Sequence, residues 1–334
     1  MELGAAVVVP ANEDVTGVAE VAALDASWPH CSSRKPILGN DVLQSWMERI
    51  RKLGVQSLWL TSGARDGAVS RSALAGFPQQ GVERLLVIKL KSYAEMDLSD
   101  LLRFHHERRN PVTEAQDARG ELGVCLLDQL ALLGSGDKCE SSTVPTGSGQ
   151  IPYQFSGYAK RILSARERQE LVGDALTGAC AMQPFGTQIA ENVWIGAGVN
   201  LAASVRVIGP AYIGARTIVR AGATIGPFAS VEHDCVVDCG TTVERSTVLP
   251  HTYLAPGILI RHGLVDGGYF EDLDCGIVAD LQPAGLGSRI QPSESHRQKF
   301  CECASDFFSH ADSSFASNFA PSPSGPQAWF QVEL

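Results

Sequence analysis

The side chain that best suits chemistry is a histidine beside an acid. His233 precedes Asp234, and a histidine can act as a general base toward a hydroxyl or amine in acyl transfer. His251 and His262 lie in or just beyond the same repetitive segment and have the same potential. Each histidine also has a non-catalytic interpretation, because surface histidines beside an acid are common.

The cysteines and three arginines also allow more than one interpretation. Nine cysteines stand at irregular spacing without a C-x-x-C pair, which indicates free thiols in a reducing cytosol, and the sequence predicts no metal site. Arg206, Arg216 and Arg220 could form a small anion-binding row. The alternative is that they are ordinary outward side chains that keep the surface soluble.

These histidines and arginines fall in or next to a segment with a strict period of six. Every sixth residue from Ile189 to Leu249 is Ile, Leu or Val, eleven times in succession. Helices repeat at 3.6 residues and strands at 2, so this period predicts a parallel β-helix, here a left-handed one over 185–281. Three sides of six residues close a coil of roughly 18 residues, which gives three to four stacked coils with the aliphatic residues inside. No inserted loop interrupts the register, and this regularity weighs against acyl transfer.

The part that precedes the repeats, residues 1–180, alternates apolar strands with amphipathic helices. This order predicts a Rossmann-like α/β domain with a parallel sheet covered on both faces. A Gly- and Ser-rich linker is expected near 134–150, and residues 282–334 are expected to be a mostly disordered tail. The expected strands are 5–9, 55–60, 85–90 and 123–127, and the expected helices are 42–53, Asp97 to about Arg108, and 158–179.

Net charge and composition limit the classes of partner that we expect for this chain. The net charge is −10 with no block of basic residues, so nucleic acid is not an expected partner. No apolar stretch reaches the roughly 18 residues that cross a bilayer, and with free thiols this predicts a cytoplasmic protein without a membrane span. The flat faces of a β-helix predict a homo-oligomer.

The order of these parts resembles the sugar-1-phosphate nucleotidyltransferases (NDP-sugar pyrophosphorylases), many of which carry a C-terminal left-handed β-helix. The resemblance covers residues 5 to about 280. The segments that carry it are Lys35-Pro36-Ile37-Leu38, the helix 42–55, the run Asp97-Leu98-Ser99-Asp100 through His105, Val248–Tyr253 and Leu264–Gly267.

The resemblance implies a reaction and a site. In this family a sugar phosphate attacks the α-phosphorus of a nucleoside triphosphate and releases pyrophosphate, with Mg²⁺ as the cofactor. Nucleotide and sugar phosphate are then the expected ligands. Lys35 would match the substrate lysine, and the backbone of Pro10, Ala11 and Asn12 would line the nucleotide pocket.

This chain departs from the family pattern at both phosphate-binding positions. After the first strand, residues 10–17 contain one late glycine, no arginine and two acids, which repel a triphosphate. Lys91 stands near the place of the metal-binding aspartate. We therefore predict a nucleotidyltransferase-like protein of nucleotide-sugar and polysaccharide synthesis with weakened or lost catalysis. Two alternatives stay open: a hexapeptide-repeat acyltransferase with His233 as base, and a non-enzymatic oligomeric scaffold or regulatory subunit.

Overall fold

The computed structural model divides the chain into two compact units, Met1–Phe185 and Gly186–Leu334. The structure describes residues 3–10, 16–20, 35–55, 57–63, 82–129, 131 and 151–290. The predicted linker near 134–150 lies largely outside these residues. No helix within them is long and apolar enough to pass through a membrane.

The described residues of the first unit form a seven-stranded sheet, a separate strand pair and three short helices. The strands are β1 (Leu3–Pro10), β2 (Thr16–Glu20), β3 (Ser57–Gly63), β4 (Arg84–Lys89), β5 (Ser92–Ala94), β6 (Val112–Asp117), β7 (Gly120–Asp128), β8 (Tyr153–Gln154) and β9 (Ala159–Arg161). The helices are α1 (Val42–Lys52), α2 (Leu98–Arg108) and α3 (Ala165–Leu176). The order in the sheet is β2-β3-β1-β4-β7-β6-β8, and β5 pairs with β9 separately.

The predicted α/β region is confirmed, and its Rossmann-like character stays a prediction, but the sheet is mixed, so the prediction of a wholly parallel sheet is wrong. β1 runs parallel to both β3 and β4, but β2, β4 and β6 each have an antiparallel neighbour. The physical reason is clearest at β6 and β7, which are joined by the short turn Ala118-Arg119. A connection this short allows only antiparallel pairing, whereas a parallel pair needs a crossover of a dozen or more residues.

Two of the three predicted helices are confirmed, and each begins with an aspartate N-cap. The Asp41 side chain accepts a hydrogen bond from the Leu43 amide at 2.8 Å where α1 begins, and Gly54 follows α1 with φ +72°. Asp97 accepts from the Ser99 amide at 2.8 Å where α2 begins. One continuous helix over 158–179 is wrong, because Ser164 forms a capping box that starts α3 only after strand β9.

The second unit is a β-solenoid of about four turns over residues 193–265. Its three sheets are β10-β11-β14-β17-β20-β23-β24-β25, β12-β15-β18-β21-β26 and β13-β16-β19-β22. The strands are β10 (Thr187–Ala190), β11 (Val193–Ile195), β12 (Asn200–Leu201), β13 (Arg206–Val207), β14 (Ala211–Ile213), β15 (Ile218–Val219), β16 (Thr224–Ile225), β17 (Ala229–Val231), β18 (Val236–Val237), β19 (Thr242–Glu244), β20 (Thr247–Val248), β21 (Thr252–Leu254), β22 (Leu259–Arg261), β23 (Gly263–Asp266), β24 (Tyr269–Asp272), β25 (Val278–Asp280) and β26 (Gly287–Arg289).

The predicted six-residue period is confirmed as far as Val243 and then shifts. Ile213 pairs with Val231, and Val231 pairs with Val248, so the second of these coils is shorter than the first by a single residue. Val248 therefore continues the interior stack, and the assignment of Leu249 to it is wrong. At the other end Ile189 is 42% exposed on β10, which runs antiparallel to β11, so it is not an interior residue either.

The start of the predicted tail is also corrected. Strand β26 lies within the segment 282–334 and pairs antiparallel with β21, with Leu254 opposite Gly287. The Ile290 amide donates to the His251 carbonyl at 2.7 Å, so backbone hydrogen bonds hold a segment that shows no hydrophobic period. Residues 291–334 lie outside the described part.

Candidate functional site

The predicted nucleotide pocket falls at one edge of the first unit's sheet. Because β1, β3 and β4 are parallel, their carboxyl ends meet there: Pro10 is opposite Gly63, and Val8 is opposite Lys89. Ligands of α/β sheets bind at such an edge. Pro10 is the last residue of β1, and its place in a pocket stays a prediction. Ala11 and Asn12 lie outside the described residues.

At the end of β4, Lys91 forms a packed ion pair. Its Nζ contacts Glu121 Oε1 on β7. Its stem fills the space over Gly123, where an added Cβ would come within 2.9 Å of Lys91 Cγ and Cε. The Lys91 side chain therefore packs against β7 and does not extend freely into solvent.

Two glutamates beside Lys91 have pKa shifts in opposite directions. Burial and the hydrogen bond to Glu121 raise the pKa of Glu114. Burial would also raise the pKa of Glu121, but the hydrogen bonds from Lys91 and Glu114 outweigh it and lower that pKa. These shifts favour the negative charge on Glu121, where the Lys91 ammonium group neutralises it.

These groups do not fit a resident Mg²⁺ ion. Mg²⁺ takes carboxylate oxygens in near-octahedral geometry. At the described end of β4 the Glu121 carboxylate is engaged by the Lys91 ammonium group, and the chain offers lysines where the resemblance implies an aspartate.

Lys35 lies in the segment that leads into α1, and α3 holds that segment. The Arg168 guanidinium on α3 donates to the Lys35 carbonyl at 2.6 Å and also contacts the Pro36 carbonyl. Nearby, Asn40 Nδ2 donates to the Gln183 carbonyl at 2.7 Å. Lys35 is half-buried, and its assignment as a phosphate-binding residue stays a prediction.

A second group of polar side chains lies at one corner of the solenoid. Arg216, Asp234 and His251 occupy the same position in three successive coils, and all have left-handed backbone, with φ of 58°, 56° and 58°. The corner is held by a hydrogen bond from the Asp234 amide to the Ala215 carbonyl at 2.9 Å. His233 immediately precedes Asp234, so four polar side chains meet at this corner.

Asp234 is the centre of this corner. Arg216 Nε donates to its Oδ1 at 2.7 Å, and a second guanidinium nitrogen contacts its Oδ2. His233 Nδ1 lies 2.8 Å from the same Oδ2. Partial burial opposes ionisation, but the hydrogen bonds from Arg216 and His233 outweigh it and lower the pKa of Asp234 to about 2. The carboxylate is therefore ionised at neutral pH.

His251 completes the corner from the next coil. Its ring is nearly perpendicular to that of His233, with the centroids 5.2 Å apart. Burial lowers the pKa of His251, and the positive charges of Arg289 and Arg216 act in the same direction. His251 is therefore a neutral imidazole at pH 7, with a nitrogen lone pair able to accept a proton or a ligand.

The sequence identifies the members of this corner but not their relation. It predicts His233 and His251 as separate base candidates, and Arg216 as part of a row. Arg216 instead pairs with Asp234, while Arg206 donates to Thr224 Oγ1 at 3.2 Å. The third candidate, His262, pairs elsewhere with Asp274 at 3.3 Å. The signal that sequence reasoning missed is the spacing between corner positions, which equals one full coil and then one coil shortened by a single residue.

Comparison with known proteins finds a relative that matches part of this chain. No family model matches this chain. The UTP–glucose-1-phosphate uridylyltransferase of Synechocystis sp. is 30% identical over 104 residues, which is 30% of this chain and 26% of that protein. The match thus spans about a quarter of the relative's length. Over that segment the chain is similar to a nucleotidyltransferase.

Proposed function

We propose that this chain is a sugar-1-phosphate nucleotidyltransferase-like protein that binds a nucleoside triphosphate and has weakened or lost catalysis. The observation that carries the proposal is the 30% identity over 104 residues to an enzyme named for UTP and glucose 1-phosphate. The triphosphate would lie at the carboxyl edge of β1, β3 and β4. UTP and glucose 1-phosphate are the first pair to test.

The surroundings of Lys91 support the proposal of weakened catalysis. Pyrophosphate leaves with developing negative charge, and metal ions normally offset it. Here the Lys91 ammonium group neutralises Glu121, and burial disfavours ionisation of Glu114, so the described groups are poorly suited to hold a metal ion against the leaving group. Nucleotide binding can persist under these conditions, because Mg²⁺ can enter already bound to the triphosphate.

Calorimetry of the full chain with UTP, GTP, CTP, dTTP and ATP, each with Mg²⁺, tests the proposal. We expect a micromolar Kd for one triphosphate. Lys35→Ala should weaken it about tenfold, because a charge-assisted hydrogen bond to phosphate is worth about 1.5–3 kcal/mol. Lys52→Ala, at an exposed position in the last turn of α1, is the matched control and should change nothing. Absence of binding by all five nucleotides would refute the proposal.

The His233–Asp234 contact favours a second candidate, acyl transfer. A histidine whose Nδ1 is held by a carboxylate at 2.8 Å keeps Nε2 for proton abstraction. In that case the protein would turn over acetyl-CoA with an acceptor, and His233→Ala would abolish the reaction. Unchanged turnover in this variant would remove the candidate.

Self-association through the solenoid is part of the proposal. Large apolar side chains stay exposed on this unit, among them Leu259 on β22 at 58% and Val278 on β25 at 62%. A dimer or trimer in light scattering would support the proposed homo-oligomer. The alternative function as an oligomeric scaffold requires the same result. A single monomeric species would contradict both.

A further inference from the structure

We propose that His233, Asp234 and His251 form a binding site for a divalent transition-metal ion at the corner of the solenoid. One ligand atom from each residue lies within 4.8 Å of the other two, so a single ion can reach all three with small side-chain movements. Two imidazoles and one carboxylate are the donor set of Zn²⁺, Ni²⁺ and Co²⁺ sites. Mg²⁺ and Ca²⁺ prefer oxygen ligands alone.

The backbone that carries the ligands is fixed before any ion binds. The His251 amide donates to the His233 carbonyl at 3.3 Å, which joins two of the three ligand residues directly. The His251 carbonyl accepts from the Ile290 amide at 2.7 Å, so the end of β26 holds the same residue from the other side. Ion binding therefore orders side chains only, and little conformational freedom is lost.

Arg216 competes with the ion for Asp234. Its guanidinium contacts both carboxylate oxygens, and a cation bound there would repel it. The Arg216 side chain is 63% exposed and can turn into solvent when an ion arrives. The affinity of an adventitious surface ion would not depend on Arg216. A change in affinity on removal of this guanidinium would therefore identify the proposed site.

Zinc titration of the full chain, purified with chelator and then freed of it, tests the proposal without any nucleotide. We expect one equivalent of Zn²⁺ to bind to this corner. His251→Ala and Asp234→Asn should each weaken that event at least about tenfold, because each removes one of three ligands. Arg216→Gln should strengthen it by about tenfold, since a charge-assisted competitor is removed.

His262→Ala is the matched control, because His262 also pairs with an aspartate but takes no part in this corner. It should leave the titration unchanged. Co²⁺ gives a second readout: nitrogen and oxygen ligands produce visible d–d bands without the intense near-ultraviolet band of thiolate ligands, which separates this site from the cysteines. Circular dichroism of each variant verifies the fold.

The proposal is overturned if no one-equivalent event occurs. It is equally overturned if that event survives both His251→Ala and Asp234→Asn in folded protein, or if Arg216→Gln weakens it.

Discussion

At the scale of single residues, Asp234 is the acid at which the charged and polar contacts of the solenoid corner converge. Its carboxylate accepts from Arg216 and His233, which lower its pKa to about 2. A carboxyl group with a lower pKa in the folded than in the unfolded state stabilises the fold above its unfolded pKa of about 3.9. That stabilisation is lost as the pH falls through the folded pKa.

The stability difference between wild type and Asp234→Asn should therefore depend on pH. We expect the variant to be less stable by about 1–2 kcal/mol at pH 7, a value reduced for the exposure of Arg216, with the gap closing between about pH 4 and pH 2. Urea unfolding across this range measures it. Asp274→Asn, at a more exposed His–Asp pair, should show little difference at any pH. A gap for Asp234→Asn that is constant with pH would contradict this account of the corner.

At the scale of elements, Gly214 limits how closely the coils stack. A Cβ added there would lie 2.5 Å from the His233 amide nitrogen and 2.6 Å from the Glu232 carbonyl carbon. Both are backbone atoms of the next coil, so neither can move without separating strands.

Gly214→Ala should accordingly destabilise the solenoid by about 3 kcal/mol, at the upper end of overpacking costs. Gly257→Ala is the control. Its φ is +70° but no atom lies within 4 Å of the added Cβ, so only about 1 kcal/mol of backbone strain is expected. Denaturant midpoints of the two variants test the difference, and equal midpoints would show that coil contact is not the cause.

The solenoid could be predicted from its sequence because interior stacking demands an aliphatic residue on every side of every coil. The one-residue shortening between Val243 and Val248 could not, because Val248 and Leu249 are both apolar and either continues the pattern. The direction of the strands in the first unit could not be predicted either, because a buried apolar run can belong to a parallel or an antiparallel pair. Strand β26 shows no sequence signal, because the backbone hydrogen bonds that pair it with β21 require no periodic pattern of side chains.

The candidate sites were predictable to different degrees. The residue types of the solenoid corner are visible in the sequence. Whether these side chains lie close together depends on the lengths of two successive coils. The two lengths differ by one residue, which the six-residue period does not predict. Lys91 stands out in the sequence as a departure from the family pattern, whereas its partner Glu121 lies on another strand, far along the chain. Pairings between distant strands are set by topology, which one sequence does not reveal.

At the scale of the whole molecule, the two units carry separate proposals: nucleotide binding in Met1–Phe185 and metal binding in Gly186–Leu334. Each can fail without the other, because the zinc titration uses no nucleotide and the nucleotide titration uses Mg²⁺ alone. The central claim concerns the first unit, where the carboxyl ends of three parallel strands meet.

Hydrogen exchange of the full chain, with and without saturating UTP and Mg²⁺, tests that claim most directly. The account predicts slower exchange in peptides that include the ends of β1, β3 and β4, at Pro10, Gly63 and Lys89, and unchanged exchange over 193–265. Lys35→Ala should reduce the protection at the same UTP concentration. Protection confined to the solenoid, or none anywhere, would contradict nucleotide binding at this edge of the sheet.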